Sequence, residues 1–70
     1  QSIILDEKKK TIEILDANKN KITLDDKGIT IEVGDKLSIE AKGDIELKGK
    51  NIKLEASANV EIKGKAIDIK

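Results

Sequence analysis

Any chemistry this chain performs must start from carboxylates, amides, hydroxyls and lysines, because His, Cys, Met, Tyr, Trp, Phe, Pro and Arg are all absent. The most suggestive spacing is Asp16-Ala17-Asn18-Lys19-Asn20, which copies the first three ligand positions of an EF-hand loop, where alternate side-chain oxygens wrap a hard cation. The copy then breaks off. Lys21 stands where that loop needs glycine and Lys27 where it needs a bidentate glutamate, so the segment reads as a polar turn. Asp25-Asp26 places two carboxylates side by side, but no leaving-group acid accompanies them, and a solvated turn before Gly28 is expected. Gly43 to Gly49-Lys50 has five intervening residues where a phosphate loop has four, and Asn51 replaces the required hydroxyl residue. Ser2, Ser38 and Ser57 have no imidazole to activate them. The chain is therefore read as not an enzyme, with no catalytic residue, no metal site and no cofactor expected.

What positions these residues is a pattern of period two. Apolar and polar residues alternate in Ile22-Thr23-Leu24, Ile29-Thr30-Ile31, Leu37-Ser38-Ile39, Ile45-Glu46-Leu47, Ile52-Lys53-Leu54, Val60-Glu61-Ile62 and Ile67-Asp68-Ile69. That alternation belongs to a half-buried strand. Ile3-Ile4-Leu5 and Ile12-Glu13-Ile14 add two more, bounded by the polar stretches Asp6 to Lys10 and Asp16 to Lys21, so nine strands and no helix are expected. From Ile22 onward the bursts recur at spacings of 7, 8, 8, 7, 8 and 7 residues, an octad-like repeat. Corners are expected at Gly34-Asp35, Gly43-Asp44, Gly49-Lys50-Asn51, Ser57-Ala58-Asn59 and Gly64-Lys65, where small and amide residues tolerate tight backbone geometry.

Thirteen Ile, six Leu and two Val make one apolar face with no second layer encoded to cover it, so self-association is expected. An antiparallel meander would leave that wall exposed. Three chains wound together would close it, and the expected fold is all-β: an intertwined homotrimeric triple-stranded β-helix, with residues 1–28 as an irregular β region leading into an octad-repeat β-helix over residues 29–70. The trimer core would comprise Ile22, Leu24, Ile29, Ile31, Leu37, Ile39, Ile45, Leu47, Ile52, Leu54, Val60 and Ile62. Fourteen Lys balance fourteen Asp plus Glu with the signs interspersed, so no basic stripe exists and nucleic acid is not an expected partner. Neither an apolar run of spanning length nor a leader is read in the sequence, and an initial Gln reads as the start of a fragment.

The segment from Ile12 through Asp16-Ala17-Asn18-Lys19-Asn20 to Ile22-Thr23-Leu24-Asp25, followed by Gly28-Ile29-Thr30-Ile31 and octads such as Gly43-Asp44-Ile45-Glu46-Leu47-Lys48-Gly49, resembles the needle of contractile-injection spikes. These are the VgrG-type (valine-glycine-repeat) spikes of type VI secretion, phage baseplate V spikes and their extracellular-injection relatives. The resemblance spans roughly residues 11 to 69 and implies a homotrimeric, membrane-puncturing structural protein of a phage-tail-like machine. It would be assembled in the bacterial cytoplasm or virion and secreted or injected, with a target membrane as a transient partner. It further implies a PAAR-type tip protein seated at the carboxyl-terminal end on Ile67 and Ile69. The barrel-like amino-terminal portions of such spikes are missing, Val is scarce, and without His the iron-holding apex of some relatives is excluded. Two other readings fit the same residues: a polymerising, bactofilin-like β-solenoid, and a small surface-binding β-domain, the latter without aromatic residues for sugar stacking.

Overall fold

In the computed structural model, which describes all of residues 1–70, the first hairpins close where an aspartate meets the backbone of its own loop. Leu-Asp occurs three times, as Leu5-Asp6, Leu15-Asp16 and Leu24-Asp25, each time at the end of a strand. The strands are β1 (Ser2–Asp6), β2 (Thr11–Leu15), β3 (Lys21–Asp25) and β4 (Gly28–Glu32). They pair antiparallel in chain order as one four-stranded sheet.

Each loop has its own chemistry. In Glu7–Lys10 the Asp6 carboxylate accepts the Lys9 N–H at 3.0 Å, and Lys10 takes a positive φ of 55° to re-enter the ladder. Between β3 and β4 the loop is only Asp26-Lys27. Neither residue has positive φ, so this is not one of the mirror-image two-residue turns usual in hairpins. Instead Asp25 Oδ1 accepts both Lys27 N–H (2.9 Å) and Gly28 N–H (3.1 Å), and the unusual dihedral falls on Gly28, at φ 139°. A side chain there would be strained although nothing lies within 4 Å of its Cβ position.

The register sorts the side chains by face. Ile3 pairs with Ile14, Ile14 with Ile22 and Ile22 with Ile31, forming one row across the sheet. A second row runs Leu5, Ile12, Leu24, Ile29. Directly opposed residues share a face, so these eight aliphatic side chains form one wall. The other face carries the rows Ile4, Glu13, Thr23, Thr30 and Ser2, Leu15, Lys21, Glu32, with Lys21 Nζ 3.4 Å from Glu13 Oε2.

Nine strands and a closed triple-stranded β-helix are not what the chain forms: the architecture is a single open, four-stranded antiparallel sheet. The four expected strands before residue 33 are present; the five expected after it join no sheet. Bends do fall at Gly34-Asp35, Lys42-Gly43, Lys50-Asn51, Ser57-Ala58 and Lys65, at or next to the expected corners, and none of Gly34, Gly43, Gly49 and Gly64 has positive φ. No backbone-to-backbone hydrogen bond forms within residues 33–70. The physical reason lies in the corners: none there carries a carboxylate capping backbone N–H groups, so nothing turns one burst back onto the last. The structure divides into two units, Gln1–Glu40 and Ala41–Lys70.

Replacing Gly28 with Ala should destabilise the sheet by roughly 1–3 kcal/mol, because φ near 139° is costly for any residue with a Cβ. Chemical denaturation followed by far-ultraviolet circular dichroism measures it, and Asp25→Ala should lower stability where Asp26→Ala leaves it nearly unchanged.

Candidate functional site

No residue of the chain is fully buried, so the functional surface is to be sought among side chains that a folded domain would ordinarily hide. On the sheet wall Ile3 is 72% exposed, Leu5 69% and Ile29 68%, while the central Ile12 and Leu24 are half-buried between their neighbours. The end of this wall near Ile3, Ile14 and Ile22 opens into a shallow concavity of about 590 Å³ that Asp16, Asn20 and Lys21 border. A flat apolar wall with a polar rim is the usual surface character of a docking site.

The residues expected to line a trimer axis are distributed as follows. Ile22 and Leu24 lie in β3 and Ile29 and Ile31 in β4, all on the aliphatic wall. Leu37 and Ile39 follow β4 within the first unit, and Ile45, Leu47, Ile52, Leu54, Val60 and Ile62 lie in the second. Every one of them except Leu24 is exposed. Ile67 and Ile69, expected to seat a tip protein, are likewise exposed.

Within the Ala41–Lys70 unit, ion pairs join residues two apart: Lys53 to Glu55 at 3.0 Å, Lys63 to Glu61 at 3.7 Å and Lys70 to Asp68 at 3.5 Å. Pairs at that spacing require an extended backbone, which sends the alternate residues Ile52 and Leu54, Val60 and Ile62, Ile67 and Ile69 to the opposite side. Exposed pairs of this kind add little stability, so their weight here is geometric.

Asp16 is the one ionisable group with a clear perturbation. Its carboxyl is held below the ordinary value of 3.8, first by the Asn20 side-chain amide and then by the backbone N–H groups of Asn18 and Asn20. Both oxygens are occupied: Oδ1 accepts Asn18 N–H at 2.8 Å and Asn20 N–H at 3.1 Å, and Oδ2 accepts Asn20 Nδ2 at 2.9 Å. This is the polar turn, its oxygens wrapped around amide hydrogens instead of a cation. What the sequence reading missed is the reach of Asn20, whose Oδ1 accepts the N–H of Gly34 at 3.0 Å. The three-fold Leu-Asp motif marks the aspartates as loop organisers but carries no signal for this bond.

No protein-family model, curated protein or solved structure matches the chain. The resemblance to contractile-injection spikes is accordingly corrected. An open sheet replaces the closed needle on which it depended, and no relative of VgrG or baseplate type supports it. The membrane-puncturing function and the PAAR-type tip protein implied with it fall with that identification.

Because its folded-state pKa is depressed, Asp16 stabilises the loop at pH values above its unfolded pKa, and this contribution is lost as pH falls through the folded value. Denaturation across pH 2–6, as an approximate window, should show wild-type stability falling on the acid side, with a shallower fall in Asp16→Ala.

Proposed function

We propose that this chain is a small, non-catalytic β-module that works by binding apolar protein surface, and that further copies of itself are the first such surface it meets. The observation that carries this reading is the uncovered wall of eight aliphatic side chains on an open sheet. A sheet with one apolar face is a half-structure that needs a second layer. The chemistry of the surface narrows what that layer is. Without aromatic rings there is no stacking platform for sugars or bases, and with charges of both signs interspersed there is no basic field for phosphates. Aliphatic protein surface remains.

Self-association is favoured by charge as well as by shape. Fourteen lysines against fourteen acidic residues leave no net charge to hold copies apart. The sheet wall alone covers roughly 300 Å² at ordinary strand spacings. A stable interface buries about 800 Å² on each partner. The aliphatic pairs after β4 must therefore contribute, and their backbone groups, unpaired within the chain, are available for strand-to-strand pairing.

Sedimentation of the full chain at micromolar concentration should give a fixed multiple of 7.7 kDa. Ile22→Asp should weaken association at least about a hundredfold by placing an unpaired carboxylate in the interface. Thr30→Ala, on the opposite face, should leave it unchanged. By the same logic Ile52→Asp should be damaging and Lys53→Ala silent. Open filaments of undefined length would support a polymerising scaffold instead, and a folded monomer that also ignores apolar protein surfaces would end the binding reading.

A further inference from the structure

The chain leaves β4 at Glu32 and two residues later is tied back to a loop that closed fourteen positions earlier. The tie has a definite polarity. The Asn20 amide nitrogen faces the Asp16 carboxylate, which can only accept, and the Asn20 amide oxygen faces the Gly34 N–H, which can only donate. Neither end can be exchanged without losing both bonds. Asp16 N–H completes the loop by donating to the Asn20 carbonyl at 3.2 Å, while Lys19 adopts φ 70°. Gly34 is required by space: a Cβ there would lie 2.6 Å from the Asn18 carbonyl oxygen and 3.2 Å from the Lys19 Cβ. A backbone oxygen cannot move aside as a long side chain would. Val33, alone among residues 31–40, is partly buried beside this junction.

We propose that Asp16, Asn20 and Gly34 form a clasp that fixes the course of residues 33–40 as they leave the sheet. It holds the exposed Leu37 and Ile39 pair in one arrangement in advance of docking. The segment makes no backbone-to-backbone hydrogen bond in the chain, so a side-chain clasp is what orders its start. Ordering a segment before it binds removes part of the entropy cost from association. The docking half of this proposal rests on the binding function proposed above; the clasp itself does not.

Two variants attack the clasp from opposite sides in the full-length chain: Asn20→Ala removes the bridging amide, and Gly34→Ala keeps every loop contact while denying the close approach. Residue-resolved amide exchange should show Gly34 protected in the wild type and about tenfold or more less protected in each variant, the equivalent of one lost hydrogen bond. Nitrogen-15 relaxation should show residues 33–40 loosening while the amides of β2 and β3 keep their protection. Sedimentation should then show association weakened by a similar factor. Wild-type Gly34 exchanging like an unstructured amide, or Gly34→Ala leaving its protection intact, overturns the clasp. Loss of protection spread through the whole sheet in both variants overturns it too, making these residues part of the sheet's own stability. A loosened segment with unchanged association overturns only the docking half, and Ile22→Asp separately tests the binding function on the sheet wall.

Discussion

The carboxylate that accepts backbone N–H groups at the close of a strand is the interaction on which this fold depends. Asp6, Asp16 and Asp25 each do this in the loop that follows. With no buried core to hold strands together, sheet geometry must be set locally, and each aspartate supplies acceptors for loop donors that would otherwise have only water. The consequences propagate through register. Because Asp25 closes a two-residue loop, Leu24 faces Ile29 and Ile22 faces Ile31. Because Asp16 and Asn20 close a five-residue loop, Ile14 faces Ile22. A slip of one residue in either hairpin would break the aliphatic wall, since side-chain direction alternates at every position.

That wall is also the constraint the single chain leaves unresolved. Three or more strands with a hydrophobic face reach independent stability only when the face is covered. Here the half-buried positions of the wall, Ile12 and Leu24, are shielded only by lateral neighbours within the same layer. The same tension runs through residues 41–70, where ion pairs between residues two apart occupy one side and aliphatic pairs the other. Both units therefore make the same demand on their surroundings, an apolar surface, and both meet water with charges of mixed sign: seven Lys against nine acidic residues in the first, and seven against five in the second.

The alternation of apolar and polar residues made β2 to β4 legible, and the apolar triplet Ile3-Ile4-Leu5 did so for β1, as did the polar stretches after Leu5 and Leu15 that became loops. The aliphatic side of β3 and β4 was legible for the same reason, since Ile22, Leu24, Ile29 and Ile31 hold the period. What alternation does not encode is the partner. A burst such as Ile52-Lys53-Leu54 has the same period whether it pairs with the next burst, with another chain or with nothing, and periodicity alone favoured a repeat that would close on itself. The Asn20 to Gly34 bond was illegible for a different reason. It joins a loop amide to a backbone N–H fourteen residues away, a distance set by the length of two strands and their turn and carried by no motif.

Turn chemistry also explains why the sheet stops after four strands although the apolar pattern continues to the last residues. Before β4 every apolar burst runs into Leu-Asp and a loop of two to five residues, long enough for the carboxylate to reach the N–H groups that follow. After it the bursts run into Leu47-Lys48, Leu54-Glu55 and Ile62-Lys63, and in the last two the charged residue is drawn along the strand direction by a partner two positions away, Glu55 by Lys53 and Lys63 by Glu61. A charge engaged that way cannot cap a turn, and bends of one or two residues redirect the chain without reversing it into a hairpin. Identical alternation thus has two outcomes in one chain. Where an aspartate ends the strand the next burst folds back and pairs, and where a lysine or glutamate ends it the burst stays open to whatever surface arrives.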